Sequence, residues 1–257
     1  MVERTIKGKV AFITGGGKNL GALIAKDFAS KGAKAIVVHY NSASSKTETE
    51  KTVAELEKLG TKAVALHGDL TTAAAITKFF EDAERAVGKP DIAINTVGKV
   101  LKKPIIDTTE AEFDEMFAVN TKCAYFFIKE AGKRLNDDGC LITIVTSLLG
   151  AFTPFYSTYA GSKAAVEHFT RAASKEFGER GISVNALGPG PMDTPFFYPQ
   201  ESPEAQAYHK TAAALSSKTP SGLTHIEDIV PFVSFLASDG WWQTGQTVLI
   251  NGGYTTK

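Results

Sequence analysis

The sequence predicts a single α/β domain in which a doubly wound parallel sheet of about seven strands carries helices on both faces. Three observations predict this fold class. Short apolar runs alternate with longer helical stretches along the 257 residues, which is the pattern of βαβ units. Most of these runs are continuous instead of alternating, as in parallel strands buried on both faces. No internal repeat, low-complexity tract or linker divides the chain, so one domain over 1–257 is expected.

The predicted elements follow one another in a regular order. The strands are the apolar runs 10–14, 35–39, 63–67, 92–95, 141–146, 183–187 and 247–250. The helices are the stretches 20–31, 45–59, 73–87, 110–135, 159–179 and 227–237. The segment 189–221 breaks the alternation and is rich in Pro, Phe, Ser and Ala. A connection of that length in a compact domain is usually functional, so it is predicted to be a substrate-binding loop or lid.

A glycine-rich turn joins the first strand to the first helix. It reads TGGGKNLG over residues 14–21. The glycines permit a tight turn and a close backbone approach, and the helix N-terminus offers free N–H groups to a pyrophosphate. Many turns are rich in glycine, but the surrounding strand, turn and helix make this one typical of a dinucleotide site.

A tyrosine and a lysine lie four residues apart on one predicted helix. Residues at this spacing share a helix face, so Tyr159 and Lys163 can point into the same cleft. A nearby cation favours phenolate and lowers the pKa of a tyrosine, which can then act as a general acid or base. Ser147, twelve residues before Tyr159, could hydrogen-bond the oxygen that gains or loses the proton. Tyr156 lies close by, but no lysine follows it by four residues.

Composition excludes several classes of function. The formal net charge is +0 and no basic block is present, so no nucleic-acid partner is expected. Cys123 and Cys140 lie in apolar stretches and are predicted to be reduced core thiols. The five histidines show no metal-ligand spacing, so no metal is expected and they are assigned to structure or surface. No apolar signal core and no membrane-length run is found, which favours a cytoplasmic protein without a membrane partner.

These motifs, in this order, resemble the short-chain dehydrogenase/reductase family in its single-domain, ketoreductase-like branch, and the resemblance covers almost the whole chain. It implies a Rossmann-like fold, a homodimer or homotetramer, and hydride transfer between a nicotinamide cofactor and a carbonyl or secondary alcohol. It also implies roles for four residues. Tyr159 would exchange the proton and Ser147 would orient the oxygen. Lys163 would lower the pKa of Tyr159 and hold the ribose, while Asn120 would support a water in the proton relay.

The same resemblance implies the cofactor-binding residues. They lie in the glycine-rich turn, after the second, third and fourth strands, beside the catalytic pair, and at the start of 189–221. They are Gly15, Lys18, Asn19, Leu20, Gly21, Tyr40, Asn41, Ser42, Asp69, Leu70, Asn95, Gly98, Tyr159, Lys163, Pro189, Gly190, Met192 and Thr194. Asn19 replaces a family glycine, and asparagine tolerates left-handed backbone better than most residues.

The choice between the two nicotinamide cofactors depends on charge near the ribose. An acid after the second strand would accept from the 2′-hydroxyl of NAD and repel a 2′-phosphate. Here Tyr40 occupies that place. Lys18 falls where the resemblance puts a basic residue in NADP-binding members, and Ser42 could add a hydroxyl. The sequence therefore favours NADP(H).

The sequence defines the substrate less well than the cofactor. Leu149, Phe155 and Phe197 are predicted to bind it, and together they favour a hydrophobic ketone or a 3-oxoacyl compound. One alternative is a polyol or sugar-alcohol dehydrogenase that works oxidatively, and another is a non-catalytic NADP-binding regulator. Further candidates for lining a pocket are Leu148, Phe152, Tyr156, Met192, Phe196 and Tyr198.

Overall fold

A computed structural model describes residues 4–151 and 153–256. Its seven strands form one sheet in which every pairing is parallel. The strands are β1 (Val10–Thr14), β2 (Ala35–Tyr40), β3 (Lys62–His67), β4 (Ile92–Asn95), β5 (Cys140–Ile144), β6 (Ser183–Pro189) and β7 (Thr247–Ile250). Their spatial order is β3-β2-β1-β4-β5-β6-β7. The predicted fold class is confirmed.

Helices cover both faces of the sheet. They are α1 (Asn19–Ser30), α2 (Lys46–Lys58), α3 (Ala73–Val87), α4 (Glu110–Phe117), α5 (Cys123–Arg134), α6 (Ser157–Glu176), α7 (Pro203–Ala212) and α8 (Ile226–Leu236). One apolar core joins the sheet to α1, α2 and α8, and a second joins it to α3, α5 and α6. None of the helices that the structure describes is long and apolar enough to cross a membrane.

Successive residues along a strand pack alternately into the two cores. In β1, Ala11 and Ile13 belong to the first core, while Val10 and Phe12 belong to the second. This follows from the two-residue period of a strand, and it explains why the run is apolar throughout. Phe12 is fully buried against Phe80, with ring centroids 5.8 Å apart. Truncating a phenylalanine in such a place costs about 3–5 kcal/mol of folding free energy.

The order of the strands determines where a ligand can bind. The chain passes from β1 outward to β2 and β3, then returns to β4 on the other side of β1. Such a reversal opens a crevice at the carboxyl ends of the strands. The turns that follow β1, β2, β3 and β4 all meet at this edge.

Two stretches differ in kind from the predicted elements, whereas the other strands and helices differ only by a few residues at their ends. The stretch 110–135 is not one helix, because a π-helical segment, Ala118–Lys122, separates α4 from α5. The segment 189–221 is not an irregular loop throughout, because it contains α7. Ser202 caps that helix by accepting a hydrogen bond from the Ala205 amide at 3.3 Å, and Pro203 is its first residue. Serine followed by proline is a helix-start signal that the composition of the segment masks.

Candidate active site

The glycine-rich turn has the backbone that a dinucleotide site requires. Gly15 has φ +70, and Asn19 has φ +49. Asparagine therefore takes the left-handed conformation here, and the turn survives the loss of the family glycine. A Cβ on Gly21 would lie 2.4 Å from the Gly15 carbonyl oxygen, so a larger residue there would displace the turn. The first N–H groups of α1 are left free to meet a phosphate.

His39, which the sequence assigned to structure or surface, connects two of the turns at this edge. Its Nδ1 accepts a hydrogen bond from the Gly15 amide at 3.3 Å, and its Nε2 donates to the Gly68 carbonyl at 2.8 Å. Burial lowers the pKa of His39 to about 4, so the ring is neutral near pH 7 and keeps this pair of roles. His39 also lines the larger cavity, a contact that no motif indicated.

The larger cavity, of about 520 Å³, lies along the carboxyl edge between the glycine-rich turn and Tyr159. Most predicted cofactor residues line it: Gly15, Lys18, Asn19, Leu20, Gly21, Tyr40, Asn41, Ser42, Asp69, Leu70, Gly98, Tyr159, Lys163, Met192 and Thr194. We call it the cofactor cavity. Sequence reasoning did not find several other lining residues, among them Thr49, Thr71 and Val119, whose side chains belong to no motif.

Three predicted cofactor residues lie outside the lining of this cavity. Asn95 is 1% exposed and lies behind the wall of the cavity. Its side-chain oxygen accepts hydrogen bonds from the Thr14 hydroxyl at 2.7 Å and the Val97 amide at 3.1 Å. Pro189 and Gly190 line a neighbouring, smaller cavity instead, because β6 ends there. Asn95 therefore shapes the turn after β4, and a direct contact of these three residues with the cofactor stays a prediction.

The end of β2 carries no acid toward the cofactor cavity. Tyr40 packs against His67 with ring centroids 5.0 Å apart, and Asn41 and Ser42 are exposed beside it. Lys18 is exposed at the rim and forms no ion pair with any residue in the described parts of the chain. An unpaired ammonium without a competing carboxylate is suited to a phosphate.

Tyr159 and Lys163 lie on the first turns of α6, and both line the cofactor cavity. The Lys163 ammonium donates to the Ile144 carbonyl at 2.9 Å and to the Val97 carbonyl at 3.4 Å. Burial lowers the pKa of Lys163 to about 8. Burial also raises the pKa of Tyr159 to about 12, although a hydrogen bond with Thr146 lowers it in part.

This result corrects the expectation that Lys163 lowers the pKa of Tyr159. In this structure the ammonium is engaged by two backbone carbonyls, and desolvation of the phenol dominates. Tyr159 is therefore a protonated phenol near neutral pH. That state can donate a proton to a substrate oxygen without first acquiring one.

Asn120 lies in the π-helical segment and reaches the turn after β4. Its side-chain oxygen accepts from the Lys99 amide at 2.9 Å, and its amide donates to the Lys99 carbonyl at 2.9 Å and to Ser162 at 3.0 Å. A Cβ on Gly98 would meet the Lys163 Nζ at 3.2 Å and the Asn120 Oδ1 at 3.3 Å. A π-helical turn often marks a functional position, and here it brings Asn120 beside Lys163.

The smaller cavity, of about 90 Å³, opens beside Tyr159 and holds the candidate substrate site. Ser147 is buried in its wall, and Phe197 lines it as predicted. Leu149 and Phe155, the other predicted substrate contacts, do not line it. Leu149 packs against a small core that includes Val145 and Val166, and Phe155 has φ +72 and is 49% exposed. Of the further candidates, Leu148, Tyr156, Met192 and Phe196 line this cavity, Tyr198 does not, and Phe152 lies outside the described residues.

One polar atom at the junction of the two cavities has no partner. Thr194 is 5% exposed and lines both cavities, and its hydroxyl oxygen makes no hydrogen bond with any residue that the structure describes. A buried unpaired hydroxyl is costly unless a ligand satisfies it. The carboxamide of a nicotinamide ring is a group of the right polarity for this place, so the residues present fit a nicotinamide cofactor.

Comparisons with known proteins agree with this geometry. A family model described as enoyl-(acyl carrier protein) reductase matches residues 15–255. A short-chain dehydrogenase/reductase of Pestalotiopsis microspora is 36% identical over 258 residues, which is 96% of each chain. A hydroxynaphthalene reductase-like protein of Metarhizium brunneum is 34% identical over 264 residues, covering 98% of this chain and 97% of that one.

The chain belongs to the short-chain dehydrogenase/reductase family. Its fold also matches a protein from Burkholderia cenocepacia that is described as a dehydrogenase and whose crystal structure contains bound NADP. The two share 65% of their sequence, with a TM-score of 0.99 over 100% of this chain and 97% of that one. As a short-chain dehydrogenase/reductase, the protein is an oxidoreductase that uses a nicotinamide cofactor.

Proposed function

We propose that the protein is an NADP(H)-dependent reductase of hydrophobic carbonyl compounds. The observation that carries the proposal is the position of Tyr159. This residue lines both the cofactor cavity and the smaller cavity, and Ser147 lies in the wall of the smaller one. A cofactor in one cavity and a carbonyl in the other would therefore meet at a protonated phenol.

The protein's part in the reaction is to position the substrate and supply a proton. When bound, the nicotinamide supplies hydride to the carbonyl carbon. Tyr159 donates its phenolic proton to the carbonyl oxygen, and Ser147 hydrogen-bonds that oxygen and orients it. Lys163, held by the Ile144 carbonyl, lines the cofactor cavity and would hold the nicotinamide ribose. Asn120 fixes the turn that carries Gly98 against Lys163.

The preference for NADP(H) rests on charge at the cofactor cavity. Lys18 stands exposed at its rim without a carboxylate partner in the described parts of the chain, and Tyr40 ends β2 where an acid would repel a 2′-phosphate. The NADP found in the Burkholderia cenocepacia protein, 65% identical to this chain, supports the same choice. The opposite preference would require a carboxylate at the end of β2.

The hydrophobic character of the substrate follows from the walls of the smaller cavity. Apolar side chains are numerous among its lining residues, including Val100, Leu148, Met192, Phe196 and Phe197. The hydroxynaphthalene reductase-like relative of Metarhizium brunneum is consistent with a cyclic or aromatic carbonyl compound. Such walls favour a ketone with an apolar body over a polyol, and the intact set of Ser147, Tyr159 and Lys163 favours an enzyme over a regulator.

A cofactor and carbonyl panel tests the proposal. NADPH and NADH are each offered with aryl ketones, quinones, 3-oxoacyl thioesters and ketoses, and oxidation of the cofactor is followed by absorbance. We expect NADPH oxidation with aryl ketones or 3-oxoacyl thioesters and little with ketoses. Oxidation confined to NADH, or activity only in the direction of polyol oxidation, would contradict it.

A further inference from the structure

Five side chains form a polar network at the wall of the smaller cavity; Tyr156, Glu201 and His209 are buried, and Lys102 and Tyr254 are partly buried. They are Lys102, Tyr156, Glu201, His209 and Tyr254, and we call them the Glu201 cluster. All except Lys102 line the smaller cavity, and none of the five lines the cofactor cavity. The Glu201 side chain is only 2% exposed. A polar group in such a place normally has a partner or a function.

Glu201 is the centre of the cluster. One of its oxygens accepts a hydrogen bond from the Tyr156 hydroxyl. The other forms an ion pair with the Lys102 ammonium and lies 3.5 Å from the His209 Nε2. The Lys102 ammonium also lies 5.5 Å from the centroid of the Tyr156 ring. One carboxylate and one ammonium leave the cluster without net charge.

The hydrogen bonds of His209 and Tyr254 in the cluster have a defined direction. His209 turns Nε2 toward the Glu201 carboxylate, which assigns the ring proton to that nitrogen. Its Nδ1 then accepts from the Tyr254 hydroxyl at 2.8 Å. Burial lowers the pKa of His209 and raises the pKa of Tyr254 to about 12, so the imidazole is neutral and the phenol keeps its proton.

Both phenol hydroxyls of the cluster therefore donate their hydrogen bonds to other members of the cluster. Tyr156 donates to Glu201 and Tyr254 donates to His209. A phenol oxygen whose O–H donates a hydrogen bond still carries lone pairs that can accept one. Tyr156 and Tyr254 both line the smaller cavity, whose wall is mainly apolar, so their oxygens can serve as hydrogen-bond acceptors for a ligand there. The group that satisfies such acceptors is a neutral donor, since a charged group would be desolvated there without a counter-charge.

We propose that the Glu201 cluster recognises a hydroxyl group of the substrate, so that the enzyme selects carbonyl compounds carrying a second, hydrogen-bond-donating hydroxyl beyond the reacting carbonyl. This inference rests on the proposed reductase function. Ser147 and Tyr159 bind the carbonyl end, the apolar walls enclose the body, and Tyr156 and Tyr254 bind the distal hydroxyl. These two tyrosines act in specificity, not in proton transfer.

Matched substrates test the inference directly. NADPH oxidation is measured with phenyl ketones that carry a hydroxyl at the 3- or 4-position of the ring, and with the same ketones carrying a methyl there. The methyl keeps the size and removes the donor. For at least one position we expect the wild-type kcat/KM for the hydroxyl compound to exceed that for the methyl compound by about tenfold, the value of a well-placed hydrogen bond.

Two conservative variants and one control assign the effect to the cluster. Tyr254→Phe and Tyr156→Phe each remove one acceptor, and each should reduce the hydroxyl-to-methyl ratio at least threefold, mainly through a higher KM for the hydroxyl compound. Tyr208→Phe is the control, because Tyr208 is 63% exposed beside His209 and lines neither cavity. Its ratio should stay that of the wild type.

The outcomes separate the inference from the proposed function. Equal wild-type kcat/KM for the hydroxyl and methyl compounds at both positions would overturn the inference while leaving the reductase proposal intact. If Tyr254→Phe and Tyr156→Phe both keep the wild-type hydroxyl-to-methyl ratio of kcat/KM, the inference is overturned as well. Absence of NADPH oxidation with every ketone would contradict the proposed function and the inference together.

Discussion

The imidazole of His39 accepts a hydrogen bond from the Gly15 amide at 3.3 Å. The same ring donates to the Gly68 carbonyl at 2.8 Å, so one side chain holds the glycine-rich turn against the turn before Asp69. Both turns line the cofactor cavity. His39 is 3% exposed and cannot keep both roles when protonated, because Nδ1 then becomes a donor.

His39 makes stability depend on pH. Burial lowers its pKa from 6.5 to about 4 in the folded protein, so the unfolded chain binds the proton more tightly. Its contribution is therefore complete above about pH 6.5 and is lost as pH falls toward 4, and the whole change is worth about 3 kcal/mol. We expect the wild type to lose more unfolding free energy than His39→Gln between pH 7 and pH 4.5, as measured by urea denaturation.

The control for this experiment is His168→Gln, since His168 is exposed on α6. It should follow the wild-type pH dependence. A constant difference between the wild type and His39→Gln across this pH range would show that His39 is not a buried neutral ring.

Lys18 should set the preference for NADPH. A lysine that meets a phosphate dianion contributes about 1.5–3 kcal/mol, so Lys18→Ala should reduce the NADPH-to-NADH ratio of kcat/KM by about tenfold to a hundredfold. Tyr40→Asp should shift the ratio further toward NADH, because its carboxylate repels the 2′-phosphate and accepts from the ribose hydroxyl. Steady-state kinetics with both cofactors measures the ratio.

Lys89→Ala provides the matched control for Lys18→Ala. Lys89 is an exposed lysine just before β4, at the opposite edge of the sheet. Its loss changes the net charge equally and should leave the ratio unchanged. If Lys89→Ala and Lys18→Ala lower the ratio to the same extent, the effect is one of overall charge and the assignment of Lys18 fails.

The segment 189–221 is expected to close over bound ligands. Its Phe197 is half-buried, with the Tyr198 and His209 rings 5.3 Å and 5.5 Å away, while neighbouring Phe196 is 42% exposed. Hydrogen exchange should slow in this segment when NADPH and a ketone inhibitor bind. If the backbone amides of the segment are equally and strongly protected from exchange in the free and bound states, the segment is permanently packed.

Phe197 should also influence substrate size. Phe197→Ala removes apolar surface from the smaller cavity and should raise KM for large aryl ketones several-fold more than for small ones. Phe155→Ala is the control, because Phe155 is exposed and does not line the cavity. Parallel effects of Phe197→Ala and Phe155→Ala on large ketones would count against a substrate contact at Phe197.

Lys163 should limit activity at high pH. Burial lowers its pKa from 10.5 to about 8, so the free enzyme carries this positive charge below about pH 8 and loses it above. Tyr159 stays protonated through this range, since its pKa is raised to about 12. We expect kcat/KM for NADPH, which reports ionisations of the free enzyme, to fall above about pH 8. A plateau to pH 9.5, with the fold intact by circular dichroism, would contradict this.

Much of the fold could be predicted because its signals are local. The continuous apolar runs gave the bounds of β1, β4 and β7, and the spacing of Tyr159 and Lys163 gave the face they share on α6. The left-handed backbone of Asn19 follows from the chemistry of a single residue. Such features need no knowledge of what lies across the molecule.

Other features depend on contacts that the sequence does not reveal. The π-helical segment at Asn120 adds a residue to one turn, and the helical pattern of 110–135 continues through it. His39 reaches Gly68, and Tyr156 reaches Glu201, only after folding. The sequence predicts a substrate contact at Phe155, but aromatic composition does not indicate the direction of a side chain, and in the structure Phe155 is 49% exposed and outside the lining of the smaller cavity.

The central claim is that Tyr159 donates the proton. Loss of general acid catalysis costs about two to four orders of magnitude, so Tyr159→Phe should lose at least a hundredfold in kcat for ketone reduction. Its dissociation constant for NADPH, measured by fluorescence titration, should remain within about threefold of the wild type. Tyr125→Phe, which alters an exposed tyrosine on α5, should match the wild type in both measurements. Retention of most of the wild-type kcat in Tyr159→Phe, with Tyr156 left as the donor, would contradict the account.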